Sequence, residues 1–190
     1  MRMEVRLAGA GGQGIVLASM ILGEAALLEG KHVACFHAYG PESRGGASRA
    51  DVIISEEVID YPVARQVDLL LTLTQEACDQ FWRDLRPSGM LIADESRVPS
   101  IPRGEFTVFV LPLVETARRV LGTAVPANVV ALGALSALTR VVSEKALEQA
   151  VAARVRPGAL QHNLRALHIG LDLARGVREG CMTRGGSTKG

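Results

Sequence analysis

Two hydrophobic periods alternate along this chain, and the switches between them lay out its elements. Met3 to Ala8 runs toward an apolar stretch and stops at glycines; Gln13 to Leu28 then carries Ile15, Leu17, Ala18, Ile21, Leu22 and Ala25 at helical spacing. Gly30 stands where a helix ends in a left-handed residue, and Lys31 to Phe36 reads as a second short strand. A strand, crossover helix and strand of this kind predict an open α/β sheet.

Further on, Ala50 to Ser55, Val67 to Leu73, Met90 to Asp94 and Thr107 to Leu111 are short runs rich in Val, Ile and Leu, bounded by Gly, Pro or charged turns. Gln75 to Leu85 lies between two of them as an amphipathic helix, and Leu113 to Leu121 follows the last. From Asn128 the pattern turns helical. Asn128 is placed to cap Val129 to Thr139, Ser143 opens a second helix, and Pro157 suits the first turn of a third that reaches Val177. The expected fold is a single Rossmann-like domain over 1–178: an open, mostly parallel sheet with helices on both faces and a helical C-terminal segment. Residues 179–190 are mostly Gly, Ser, Thr and Lys with little to bury, and read as a disordered tail.

Composition narrows the function. The chain has 190 residues, and 21 Lys and Arg against 20 Asp and Glu leave a formal charge of +1, no footprint for a polyanion. Aromatics at 4% leave little for stacking on bases, so nucleic acid is excluded as a partner. The longest apolar run, Val129 to Thr139, falls short of the roughly 18 residues that cross a bilayer. Glu4 and Arg6 interrupt any secretion signal, which makes the expected location cytoplasmic. Cys35, Cys78 and Cys181 are widely spaced with no CxxC, so no disulfide framework or iron–sulfur site assembles from them; those in apolar or helical contexts read as small buried hydrophobes. His32, His37, His162 and His168 show no ligand spacing along the sequence, and no metal is assigned.

Three stretches carry candidate chemistry. Gly9, Gly11, Gly12, Gln13 and Gly14 form a GAGGQG loop between strand and helix, a context in which backbone N–H groups face an anion. The same glycines serve equally to make a tight turn with little room for a Cβ, and both readings stay open. A dinucleotide site also wants an acid at the end of the second strand, about twenty residues on. That region reads Cys35-Phe36-His37-Ala38-Tyr39, with Glu29 too early and Glu42 too late, which disfavours a stand-alone NAD-dependent dehydrogenase and leaves a coenzyme A- or nucleotide-binding module as another alternative. The second stretch is Tyr39-Gly40-Pro41-Glu42-Ser43-Arg44-Gly45-Gly46-Ala47-Ser48. It leaves the second strand as a shaped turn in which Arg44 is free to fork onto a carboxylate or phosphate, or to remain solvated. The third is Asn128 with Leu132-Gly133-Ala134, a small-residue stripe that lets another backbone approach, inside or outside the domain. Trp82 reads as a core anchor.

At these residues the chain resembles the γ subunits of the thiamine-diphosphate-dependent 2-oxoacid:ferredoxin oxidoreductases. The resemblance is distributed over the GxGGQG opening at Gly9 to Gly14, YGPE-x-RGGAS at Tyr39 to Ser48, the Ile54 to Pro62 segment, the Ala127 to Leu135 helix and Asn163-Leu164-Arg165-Ala166-Leu167. It covers about residues 4 to 175. It implies a non-autonomous subunit of an enzyme that decarboxylates a 2-oxoacid, passes the acyl group to coenzyme A and two electrons to ferredoxin. It also implies that thiamine diphosphate, Mg and 4Fe–4S clusters sit on α, β and ferredoxin-like δ partners. This chain has no GDG-like motif for the diphosphate and no catalytic residue of its own. Its glycine loops, Tyr39, Glu42, Ser43, Arg44, Gly45, Gly46 and Asn128 are expected at a cofactor or partner contact. The Tyr39 to Ser48 wording and Ile59-Asp60-Tyr61-Pro62 lean toward 2-oxoglutarate over pyruvate or branched-chain oxoacids.

Overall fold

The structure is a computed structural model that describes residues 1–38 and 47–184, with side chains up to Val177. Its elements in chain order are β1 (Arg2–Ala10), α1 (Ile15–Leu28), β2 (His32–Ala38), β3 (Ala47–Ser55), β4 (Val67–Thr72) and α2 (Gln75–Phe81). Then come β5 (Leu85–Asp94), β6 (Thr107–Leu111), α3 (Leu113–Leu121), α4 (Ala127–Thr139), α5 (Glu144–Arg154) and α6 (Leu160–Arg184). Single 3₁₀ turns at Trp82–Asp84 and Pro157–Ala159 precede β5 and α6.

The six strands form one sheet in the order β2-β3-β1-β4-β5-β6. β1 pairs parallel with β4, β4 with β5 and β5 with β6, whereas β3 runs antiparallel to both β1 and β2. Five strands therefore point one way and β3 alone is reversed. The β1-α1-β2 crossover keeps the two strands codirectional as the sequence predicts, but β3 is inserted between them through the chain that joins Ala38 to Ala47. That insertion makes the sheet mixed.

Alternation of side chains sorts the core into two layers. Val5, Leu7, Val52, Ile54, Leu69, Leu71 and Ile92 face the side covered by α1, α3, α4, α5 and α6. Ala8, Ile53, Leu70, Leu91 and Ala93 face the other side, which α2 and the loops around Ala64 and Val98 cover. Helices thus lie on both faces, unequally. β1 and β3 are buried along most of their length, and β2, on the edge, is largely exposed.

Local chemistry sets the ends. α1 stops in a Schellman arrangement: Gly30 at φ +75° lets its N–H reach Leu27 O at 2.9 Å while Lys31 N–H reaches Ala26 O at 3.1 Å. Ser143 caps α5 by accepting from Ala146 N at 3.2 Å, and Pro157 opens the turn into α6, both as expected. α2 is shorter than expected, because the 3₁₀ turn takes over at Trp82. Trp82 itself is half-buried and packs edgewise on Phe106, with centroids 6.4 Å apart. α6 continues to Arg184, and residues 185–190 of the expected tail lie outside the described residues. Among the described residues no helix is long and apolar enough to cross a membrane.

The small-residue stripe is spent within the domain. A Cβ on Gly133 would run into Leu167 O and come within 2.9 Å of Leu171 N; one on Gly170 would run into Val130 O and come within 3.0 Å of Ala134 N. α4 and α6 therefore cross backbone to backbone through two facing glycines.

Candidate functional site

The C-terminal ends of β1, β4, β5 and β6 share one edge of the sheet, and the glycine loop rises from it between β1 and α1. Open α/β sheets place ligands and contacts at this edge. Ala10 pairs with Ala47 and Ala38 with Arg49, so the chain between Ala38 and Ala47 departs and returns at the same edge. Tyr39, Glu42, Ser43, Arg44, Gly45 and Gly46, the remaining loop residues singled out from the sequence, lie outside the described residues.

Within the glycine loop each residue has a different reason to be there. Gly14, at φ +72°, is the N-cap of α1, and a Cβ on it would lie 2.5 Å from Asn128 Nδ2. Gly9 is crowded by Gln13 Oε1 and by Ile15 Cδ1 at 3.2 Å. Gly12 has open space around it and is held only by its φ of +84°; Gly11 has open space and no positive φ. The expectation of little room for a Cβ is thus met at Gly14 and corrected at Gly12, where the constraint is torsional.

Gln13 closes the loop on itself. Its Oε1 accepts from Ala10 N at 2.7 Å, while its own N–H donates to Ala10 O at 3.2 Å. One backbone donor that a phosphate would need is therefore already satisfied from inside the loop. Asn128 is brought to the same place, but not as the cap expected of it. α4 starts one residue earlier, at Ala127 with Pro126 at the cap position, and Asn128 Nδ2 donates to Gly14 O at 3.0 Å. The first turns of α1 and α4 are tied together through this one bond.

Below the edge, on the side covered by α2, sits a buried ion network that sequence reading missed. Arg6, 1% exposed, reaches Asp51 bidentately at 2.7 and 3.0 Å, bonds Asp84, and lies 5.3 Å from the Phe81 ring. Burial alone would lower its pKa, but the hydrogen bonds and charges of Asp51 and Asp84 outweigh that and raise it, so it stays charged. Arg49, next in line on β3, lies between the rings of Phe36 and Phe81 at 5.8 and 5.7 Å. The warning in the sequence was a charge between apolar neighbours in each of two strands, Arg6 between Val5 and Leu7 and Asp51 between Ala50 and Val52.

The two cysteines with described side chains lie far apart. Cys35 Sγ faces Gly23 of α1 on one side of the sheet, and Cys78 is buried under α2 on the other, so the two cannot share a cluster. Cys35 is exposed, and Cys78 is buried as a small hydrophobe would be. Asp94, the buried carboxylate at the end of β5, is already engaged: it accepts from Ser96 N, Ser96 Oγ, Arg97 N and Val114 N at 2.7–3.0 Å. Three of these bonds fall on Oδ1 and one on Oδ2, which commits the carboxylate to holding the turn after β5 and the start of α3. Glu144 and Glu148 on α5 meet His168 on α6 with ligand atoms within 4.8 Å of one another, a grouping between helices that spacing along the chain could not reveal. His168 Nε2 lies 2.6 Å from Glu148, and Arg175 pairs with Glu144 at 2.7 Å.

The comparisons agree with one another. The model of the pyruvate ferredoxin/flavodoxin oxidoreductase family matches residues 4–173. The 2-oxoglutarate synthase subunit KorC of Methanocaldococcus jannaschii is 40% identical over 178 residues, 92% of this chain and 95% of that one. The crystal structure of the keto/oxoacid ferredoxin oxidoreductase γ subunit from Geobacter sulfurreducens superimposes with a TM-score of 0.86 at 42% identity, covering 93% of this chain and 98% of its own. The 2-oxoglutarate:ferredoxin oxidoreductase from Magnetococcus marinus, with 2-oxoglutarate, coenzyme A and succinyl-CoA bound, gives a TM-score of 0.83 at 25% identity over 92% of this chain and 31% of that longer one. With a family match over nearly the whole domain, this chain belongs to the pyruvate ferredoxin/flavodoxin oxidoreductase family.

Proposed function

We propose that the chain is the γ-type subunit of a cytoplasmic thiamine-diphosphate-dependent 2-oxoacid:ferredoxin oxidoreductase acting on 2-oxoglutarate. The observation that carries the reading is the 40% identity to KorC over more than nine-tenths of both chains. In this reaction 2-oxoglutarate and coenzyme A become succinyl-CoA and carbon dioxide, and two electrons pass to ferredoxin. Thiamine diphosphate, its magnesium and the 4Fe–4S clusters belong to α, β and ferredoxin-like δ partners, in keeping with the separated cysteines and the engaged Asp94 of this chain. Coenzyme A is the co-substrate of the complex.

The chain's own part is to present a rigid edge to those partners. Gln13, Asn128 and the two glycines against them, Gly9 and Gly14, fix where α1 and α4 begin; Tyr39, Glu42, Ser43, Arg44, Gly45 and Gly46, in the stretch of sequence between β2 and β3, are the residues that make the contact. A stand-alone NAD-dependent dehydrogenase is disfavoured because β3 separates β2 from β1 and β2 ends in His37 and Ala38 with no acid for a ribose. Use of the glycine loop for coenzyme A or a nucleotide is disfavoured by the Gln13 oxygen on Ala10 N.

Co-expression with the candidate partner subunits, followed by size-exclusion chromatography, tests the reading. A stoichiometric complex from which this chain cannot be omitted is expected, together with no heat of NAD(H) or coenzyme A binding to the isolated chain. A monomer that binds NAD(H) tightly and ignores the partners would replace the subunit with a dehydrogenase. Arg44→Ala should leave the melting temperature of the isolated chain unchanged and weaken the complex.

A further inference from the structure

Arg49 is held in position with no hydrogen-bond acceptor for its buried Nε. Its guanidinium carbon is 5.8 Å from the centroid of Phe36 and 5.7 Å from that of Phe81, so a ring on either side fixes it by cation–π attraction. Its nearest carboxylate is Asp51, with Nε 3.9 Å from Oδ2, beyond hydrogen-bonding reach. Asp51 is turned toward Arg6, which takes one hydrogen bond to each of its oxygens at 2.7 and 3.0 Å, so toward Arg49 it offers only its charge. Nε of Arg49 is sealed from solvent with no hydrogen-bond partner, its pairing with Asp51 being electrostatic alone. The side chain keeps 28% of its surface open.

An arginine left in that condition is unusual. A guanidinium carries five donors in a planar fork matched to a carboxylate, and a buried donor without an acceptor is costly. The surroundings of the fork are equally incomplete. Phe36, on the edge strand β2, is 46% exposed, and among the described residues no strand pairs with the outer side of β2. In the Magnetococcus marinus enzyme the part matching this chain is 31% of a longer polypeptide, so related domains work with a large amount of further protein beside them.

We infer that Arg49, clamped between Phe36 and Phe81, is an oxyanion receptor that takes an Asp or Glu carboxylate from an adjoining subunit, with Phe36 packing against the same subunit. The two rings pre-order the fork, so little side-chain entropy is lost when the carboxylate arrives. Phe36 supplies the apolar collar that keeps water from the pair. The inference rests on the subunit reading above and adds to it the residue that recognises the partner and the chemistry it recognises.

The test compares wild type, Arg49→Lys and Arg49→Met, both as isolated full-length chains and in the co-expressed complex. Methionine keeps the length and the packing between the rings while removing every donor. The isolated Arg49→Met chain should melt close to the wild-type temperature, because no hydrogen-bond acceptor is abandoned and only the two ring contacts and a distant charge are lost. Its dissociation constant for the partner subunits should rise at least tenfold, with Arg49→Lys in between. Loss of stability in the isolated Arg49→Met chain with normal assembly would make Arg49 a structural residue and overturn the inference. So would a saturable shift of the Arg49 side-chain NMR signals of the isolated wild-type chain on titration with inorganic phosphate or acetate, with assembly unchanged in Arg49→Met, since the receptor would then serve a small anion. Failure of the wild-type chain to join any subunit would defeat both readings, whereas wild-type assembly matched by Arg49→Met would defeat this one alone.

Discussion

The amide of Asn128 donates to the carbonyl of Gly14 across 3.0 Å, bridging 114 residues of sequence to lock the start of α4 onto the start of α1. The contact leaves no space for a side chain at Gly14, where a Cβ would sit 2.5 Å from Asn128 Nδ2. Gly14→Ala should therefore cost about 1–2 kcal/mol for the left-handed backbone, with the steric contact in addition. Asn128→Ala removes the obstruction, so the double variant should be more stable than the sum of the single effects allows, by about 0.5–3 kcal/mol. Urea unfolding of the four proteins gives the coupling directly. Strict additivity would mean that the two residues do not share the space.

The crossing of α4 on α6 should be the least tolerant contact in the fold. Gly133→Ala and Gly170→Ala each push a methyl group into a facing carbonyl, at Leu167 and Val130 respectively. Backbone cannot rotate away as a side chain can, so each should cost at least the 1–3 kcal/mol typical of overpacking. Gly176→Ala, on the same helix with open space around it, is the control and should be neutral or slightly stabilising. Equal melting temperatures for all three would contradict the close approach.

Arg6 and Asp51 should be far more costly to separate than to replace together. Arg6→Met alone abandons a carboxylate that is 2% exposed, and a loss of about 3–5 kcal/mol is expected. Arg6→Met with Asp51→Leu abandons less, the Arg6 bonds to Asp84 and to Ala64 O and the Asp51 charge beside Arg49, and should recover a large part of that loss. A double variant no better than the single one would show that the pair is not the unit that matters.

Glu29 sets a local pH dependence. Burial pushes its carboxyl up, but hydrogen bonds from Lys31 and from Ser143 outweigh this and hold it below the ordinary glutamate value. A carboxyl depressed in the folded state stabilises above its unfolded value, and loses that contribution as pH falls through the folded one. Glu29→Gln should therefore be less stable than wild type near neutral pH, by about 0.2–1 kcal/mol for so exposed an ion pair. The two proteins should converge in acid below the usual glutamate range. A gap that stays constant from neutral to acid pH would remove Glu29 from the account.

Much of this architecture was legible because local signals agreed with it. Apolar runs such as Val67 to Leu73, the cap at Ser143 and the Gly30 stop are consequences of short-range physics, and each element they announce is present. What was hidden depends on residues far apart. The reversal of β3 into the sheet is decided by the chain between Ala38 and Ala47, and periodicity carries no direction. Asn128 before an apolar helix reads as a cap, and only the approach of α1 turns its amide toward Gly14. Arg6 in a strand reads as a solvent-facing charge, because Asp51 and Asp84, which permit its burial, are 45 and 78 residues away. Arg49 was passed over for the same reason, while Arg44, the arginine singled out instead, lies outside the described residues.

The central claim is that this chain is an indispensable, inactive part of a 2-oxoglutarate-specific enzyme, and one assay reaches it. Ferredoxin reduction would be followed with the purified partner subunits, with and without this chain, supplying coenzyme A and either 2-oxoglutarate, pyruvate or a branched-chain oxoacid. The account predicts no turnover from the chain alone, restoration of turnover when it joins its partners, and a kcat/KM for 2-oxoglutarate at least tenfold above the other oxoacids. Turnover by the isolated chain, or full activity of the partners without it, would contradict the account.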